Sequence, residues 1–162
     1  MSELRDMMAR RAQAGRLDWI GLRPARRVGM VPVEAVEVTG SGLDGDRAKP
    51  GKRAVTLIQA EHLPAIGAYL GRAPVPPDLL RRNLVISGLN LLSLRDRDLR
   101  IGATVVLRIK GICAPCSRME EVFGHGGYAA VRGHGGMVAE VLAPGRIALG
   151  DGVDVVPAAQ SG

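Results

Sequence analysis

The two thiols of this sequence, Cys113 and Cys116, stand three residues apart in KGICAPCSRMEE, residues 110–121. A Cys-x-x-Cys pair after a strand and before a helical turn can act as a disulfide redox centre, because that setting lowers a thiol pKa. Such a motif belongs beside a βαβ unit, early in the chain; here it follows two-thirds of the sequence. Zinc is a second option, with Cys113, Cys116, His125 and His134 as ligands. Structural zinc sites space paired histidines by three to five residues, whereas eight separate these two, each within a GHGG run. In the third option one thiolate works and the other packs as a small hydrophobe. Cys116, after Pro115 and before Ser117 and Arg118, sits where its sulfur could face a cleft, and Arg118 or a turn of backbone N–H groups could hold its anion. On the residues alone this third option is level with both thiols being structural.

The elements that must position these groups follow from composition and pattern. A chain of 162 residues, 46% hydrophobic and 23% charged, fits one domain with a real core. Aromatics are 2%, while Gly numbers 22 and Pro 10, so the core is aliphatic and the chain turns often. Residues 2–15 are expected as an amphipathic helix, with Leu4, Met7 and Met8 on one face, Ser2 capping and Gly15 ending it. WIGLR, PVEAVEV and RAVTLI, bounded by Pro, Gly or Asp, are expected strands. QAEHLPAIGAYLG, residues 59–71, is the best internal helix, with Leu63, Ile66 and Leu70 on one face and Gly71 as its stop. Asn83 to Ser87 follows as a strand.

RDLRIGATVVLR and GRIALGDGVDVV echo one another, and with GMVAEVL they bring the expectation to about seven strands. That spacing fits an all-β barrel or sandwich rather than a doubly wound sheet. The loop TGSGLDGDRAKPGK, residues 39–52, is long and polar enough to be functional or mobile. Within it Asp46 and Arg47 are expected to lock the loop as an ion pair.

The net charge is +6, yet the arginines are scattered along the chain, and single-strand binding needs aromatic platforms that this chain lacks. Nucleic acid is therefore disfavoured; a small phosphate-bearing ligand would use the same arginines. With no secretory leader pattern, no apolar run near ~20 residues and no disulfide framework, the expectation is a cytoplasmic protein.

Taken together, GLDGDRA with RAVTLIQAEHL, then RRNLVISGLNLLSLRDRDLRIGATVVLRIKGICAPC, then RGHGGMVAEVLAPGRIALGD resemble, in order, the MOSC domain, the family named for the C-terminal domain of molybdenum-cofactor sulfurase. The resemblance implies a mainly β fold, a MOSC-type β-barrel with a few peripheral helices, of the compact single-domain bacterial type. It divides the chain into a helical extension (1–16), a MOSC domain (17–157) and a flexible tail (158–162). It implies that Cys116, not Cys113, is the family cysteine and ligates molybdenum in a bound molybdenum cofactor (molybdopterin). Arg81 and Asn83 match an Arg-x-Asn motif that holds the pterin, and Arg118 and Arg132 are candidate phosphate contacts.

The activity implied is reduction of N-hydroxylated small molecules. The alternatives are a sulfur carrier or transferase working through a Cys116 persulfide, and a non-catalytic binding module with the same fold. The partners implied are an electron-donor protein, since no flavin or iron–sulfur signature is present, or a pyridoxal-phosphate-dependent cysteine desulfurase. The larger amidoxime-reducing relatives carry a separate N-terminal domain over the cofactor; a homodimer would cover a cleft left open without it. On their residues alone, Arg81 and Asn83 are equally a strand entry with a solvated Arg and a turn-capping Asn. His125 and His134 could supply protons near neutral pH, but histidines in turns seldom do so. His62 is expected in ordinary helix contacts.

Overall fold

The computed structural model describes residues 3–157; the proposed cap at Ser2 and the proposed tail at 158–162 lie outside them. Seven strands form a closed barrel. These are β1 (Gly15–Leu22), β5 (Val55–Gln59), β6 (Leu84–Ser87), β7 (Asp98–Ile101), β8 (Val105–Ile112), β9 (Met137–Ala143) and β11 (Gly152–Val155). The hydrogen-bonded order runs β11-β7-β8-β9-β5-β6-β1, and a β1–β11 pairing shuts the ring. Closure leaves the barrel with no open sheet edge. β2 (Val31–Val33) extends the sheet from β1, and β3 (Ala35–Thr39), β4 (Gly42–Leu43) and β10 (Gly145–Ala148) make a second small sheet.

The described residues hold eleven strands rather than about seven, because PVEAVEV breaks at Glu34, RDLRIGATVVLR splits into β7 and β8, GRIALGDGVDVV splits into β10 and β11, and β4 forms inside the expected loop. Pieces of two to four residues are too short for alternation to declare them.

β5 and β6 are the one parallel pair in the barrel. A parallel neighbour needs a crossover, and the chain supplies it with α2 (His62–Tyr69) and α3 (Pro77–Leu80). These strands are therefore covered on both sides. Leu57, Leu84 and Ile86 point into the barrel core with Leu17, Leu99 and Leu107. Their neighbours Ile58 and Val85 join a second core with Ile66, Leu80, Met119 and Val131 under the helices. Each such buried aliphatic side chain contributes roughly 1.5–3 kcal/mol, which fixes the crossover against the barrel wall.

The β8–β9 connection carries α4 (Arg118–Phe123) and α5 (Gly127–Val131). Met119 and Val131 bury in that second core, so the segment that follows the cysteines is pinned from below. Ile66 is buried as expected, with Leu63 and Leu70 packed beside it.

The N-terminal helix is shorter than its pattern suggests. α1 spans Glu3–Ala9, buries no residue, and leaves Leu4, Met7 and Met8 exposed. Gly15 does not end it; it opens β1, where a Cβ would lie 2.8 Å from the Leu89 side chain. No helix among the described residues is long and apolar enough to cross a membrane.

Candidate functional site

At the end of β8 the chain leaves the barrel and both cysteines come to one cavity of about 480 Å³. The Cys113 N–H donates to the Gly136 carbonyl at 2.9 Å, which ends the β8–β9 ladder. The chain then turns through Ala114 and Pro115, and the Cys116 carbonyl accepts from Met119 N–H at 3.0 Å as α4 begins. Cys113 is buried, Cys116 is exposed, both are free, and both line the cavity.

Three other segments close the wall. The β1–β2 loop supplies Arg23, Arg26 and Arg27, the β4–β5 loop Arg47 and Arg53, and the α3–β6 junction Arg81 and Arg82; α4 adds Arg118. Against these eight guanidinium groups Asp78 is the one carboxylate on the lining. Arginines that are scattered along the sequence are thus gathered in space.

Two of them hold strained backbone. Arg27 (φ 63°) and Arg81 (φ 57°) are, with Asp96, the described non-glycine residues at positive φ. Left-handed backbone is disfavoured for residues bearing a Cβ and tends to mark functional or switch positions. At Arg81 it turns the chain sharply from α3 into β6, with the Arg81 N–H donating to the Asp78 carbonyl. The Arg81 guanidinium then reaches across the opening to the carbonyls of Val28 (2.5 Å) and Ala25 (3.1 Å). Burial, and then the charges of Arg23, Arg47 and Arg118, push its pKa down.

Arg82 points the other way and is 8% exposed. Its Nε donates to the Gly135 carbonyl at 2.5 Å and its Nη1 to the Leu80 carbonyl at 2.8 Å. No carboxylate pairs with it among the described residues. Burial lowers its pKa, opposed chiefly by the sulfur of Cys113. A buried, unneutralised guanidinium is costly unless an anion answers it. Sequence reasoning passed over Arg82 in favour of its neighbours, and a second basic residue beside Arg81 carries no local signal of burial.

Asn83 lies beneath the lining rather than on it, fully buried. Its Oδ1 accepts from Thr56 N–H (3.0 Å) and Thr56 Oγ1 (3.2 Å), and its Nδ2 donates to Gly21 O (3.0 Å) and Asp46 Oδ1 (3.1 Å). Asp46 in turn takes Arg23 on both carboxylate oxygens, at 3.2 and 3.0 Å, and accepts the Arg23 N–H at 2.7 Å. Asp46 therefore pairs with Arg23 across the site, not with its neighbour Arg47. Burial alone would raise the Asp46 carboxyl, but the Arg23 hydrogen bonds and charge outweigh it and hold the pKa below the usual range.

Arg132 and the GHGG histidines stand outside the cavity. His134 packs edge-on against His62 at 5.0 Å and beside Tyr69, with its Nδ1 at 3.1 Å from the Arg132 carbonyl. The Nδ1 of His62 is buried without a partner, and burial, then His134, lowers the pKa of His62. The glycines of that run serve close approach. A Cβ on Gly136, at φ 95°, would lie 2.0 Å from the Leu57 carbonyl. One on Gly135 would meet Cys113 O at 3.2 Å and Arg82 Nη2 at 3.3 Å. No group of three or more His, Cys, Asp or Glu side chains that could hold a metal ion forms among the described residues. The four proposed zinc ligands are not gathered.

A family model described as the MOSC domain matches residues 26–154. No curated protein matches the chain. The crystal structure of the YuaD protein from Bacillus subtilis superposes with a TM-score of 0.80 at 17% identity, over 88% of this chain and 96% of that one. YiiM from Geobacillus stearothermophilus gives 0.72 at 18% identity, covering 88% and 75%, and YiiM from Escherichia coli 0.68 at 20%, covering 90% and 72%. At these identities the likeness is one of fold.

Proposed function

The chain belongs to the MOSC domain family, and from that premise we propose that the arginine-walled cavity holds the molybdenum cofactor with Cys116 as thiolate ligand, for reduction of N-hydroxylated small molecules. One observation carries this reading: the exposed, free Cys116 opens onto the same cavity as eight arginines. The donor set fits the group. A thiolate is a soft ligand suited to a thiophilic metal, and one sulfur suffices where an organic cofactor already grips that metal. Guanidinium forks match phosphate and pterin oxygens. When bound, the cofactor would supply the two-electron chemistry that removes an oxygen atom.

The chain's own residues bind and orient. Arg81 and Arg118 stand on the wall where an anionic tail would lie, Arg81 held at a fixed angle by its two carbonyl contacts. Asn83 acts from beneath, through Asp46, which fixes Arg23. Arg132, off the lining, would act only if a ligand or partner reached beyond the cavity. The net conversion, R–NHOH + 2e⁻ + 2H⁺ → R–NH₂ + H₂O, takes its electrons from a separate donor protein. No imidazole stands on the described lining to supply its protons. Residues 17–157 are taken as the working domain, in a cytoplasmic setting, with a second copy as a candidate cover for the open side.

Exposure of Cys116 also favours a second reading, sulfur carriage. Its thiolate would take the outer sulfur of a cysteine desulfurase persulfide, leaving Cys116–S–SH and the donor's thiolate. Metal analysis separates the two. Protein made in a host with intact cofactor synthesis is expected to carry stoichiometric molybdenum, lost in Cys116→Ala and kept in Cys113→Ala. Metal-free protein whose Cys116 gains the mass of one sulfur on incubation with a desulfurase would overturn the first reading in favour of the second. Neither result, with partner binding intact in Cys116→Ala, would leave a binding module.

A further inference from the structure

The cavity carries more positive charge than one phosphate monoester can answer. Arg23 is neutralised by Asp46. Arg81 and Arg82 donate to backbone carbonyls, which orient a guanidinium without cancelling its charge. Arg26, Arg27, Arg47, Arg53 and Arg118 have no hydrogen bond or ion pair from their side chains among the described residues, and Asp78 is the lining's one carboxylate. A phosphate monoester carries about −1.5 to −2 charge near neutral pH, and one or two forks satisfy it.

The free charge also divides by place. Arg81 reaches across the opening to the Val28 and Ala25 carbonyls, where the charges of Arg47 and Arg118 act on it. Buried Arg82 turns inward to the Gly135 and Leu80 carbonyls, where Arg53 and the two cysteines act on it; Arg23 acts on both. The volume, about 480 Å³, suits a ligand larger than a single anion. Arg82, more than nine-tenths buried at the lining with no carboxylate, makes this a built site rather than a solvated basic patch.

We propose that the cavity recognises a diphosphate ester, its two phosphoryl groups divided between a deep subsite built on Arg82 and Arg53 and an outer one built on Arg47, Arg81 and Arg118. This rests on taking the cavity as the cofactor site and names the ligand chemistry it selects. The diphosphate belongs either to the cofactor, as a nucleotide extension, or to a nucleotide substrate.

The test is calorimetric titration of cofactor-free protein with inorganic phosphate and with pyrophosphate at matched ionic strength. Pyrophosphate is expected to bind one-to-one and at least about tenfold tighter than phosphate. Arg118→Gln should bring the two affinities together, Arg82→Lys should weaken both, and Arg108→Gln, on β8 but off the cavity lining, should change neither. Arg118 and Arg47 are not in the core, so their Gln variants keep the test open if Arg82 variants fail to fold. Equal affinities, or multiple weak sites indifferent to Arg118→Gln and Arg47→Gln, overturn the proposal.

For the source, organic material released from molybdenum-loaded protein is weighed by mass spectrometry. Two phosphoryl groups assign the diphosphate to the cofactor. One phosphoryl group, with loaded protein still binding a nucleoside diphosphate, assigns it to substrate; one group and no such binding overturns the proposal. Tight pyrophosphate binding without molybdenum would sink the cofactor reading and leave this one, and molybdenum with equal anion affinities would do the reverse.

Discussion

Two populations of arginine sit on this barrel, and they are treated in opposite ways. On the β7–β8–β11 wall, Arg108 faces Asp98 directly across the antiparallel pair and binds it at 2.8 and 3.2 Å, and Arg11 binds Asp154 of β11. Strand register does this work for Arg108 and Asp98, because residues opposite one another bring their side chains together whatever else the molecule does. Arg11 reaches Asp154 from the segment between α1 and β1. Around the cavity the arginines come from loops, an element junction and the first residue of α4, and Arg23 is the lining arginine with an aspartate ion pair. The contrast separates charge that serves the fold from charge held ready for something else. It also marks the Arg23–Asp46–Asn83–Thr56 network as belonging to the first kind although it lies under the second.

The largest expected effect tests that last assignment. Asn83→Ala strips acceptors and donors from Thr56, Gly21 and Asp46 at a fully buried point where β1, β5 and β6 meet. Leaving several buried polar groups unpaired costs about 3 kcal/mol or more, so the melting temperature should fall by roughly 6–12 °C. If Asn83 instead touched only a bound cofactor, cofactor-free protein would melt unchanged, and the division drawn here would fail.

Asp46→Asn should come next, with a pH signature. The folded carboxyl is held below its unfolded value of about 3.9. The stability it contributes is therefore fully present above that value and lost as pH falls through the folded pKa. The gap between wild type and Asp46→Asn, read by denaturant titration, should be about 2 kcal/mol at neutral pH and close below pH ~3.9. A gap that persists unchanged into acid would mean that Asp46 acts by shape rather than charge.

The strands that carry this contrast were legible because burial writes itself into sequence. VTLIQ and LVIS are near-continuous apolar runs, as strands covered on both faces must be, and β5 and β6 fall on them. The N-terminal helix was overextended because Leu4, Met7 and Met8 imitate a core face that nothing among the described residues covers. Asp46 was given the wrong arginine for a general reason: adjacent residues rarely face one another, and the true partner, Arg23, lies on a separate loop. Arg82 was invisible because burial of a charged side chain depends on what packs over it, here the GHGG loop at Gly135. The glycines of that loop form the turn they looked like, and Gly135 and Gly136 also give clearance to neighbouring backbone and Arg82.

The finest test uses one substitution at two places. Arg108→Gln removes half of an ion pair set by strand register, exposed enough that water screens it, so the melting temperature should fall by only about 1–2 °C. Arg118→Gln removes a charge from a wall where Arg81 already feels its repulsion. In ligand-free protein that change should raise the melting temperature, by roughly 1 °C. The signs should differ although the chemistry is identical. Molar salt should shrink both shifts, because it weakens attraction and repulsion alike. Pyrophosphate should reverse the second and leave the first untouched, since a ligand stabilises whichever form binds it better. Two shifts of the same sign would mean that the cavity arginines are as well neutralised as those on the barrel wall, and that their gathering serves the fold alone.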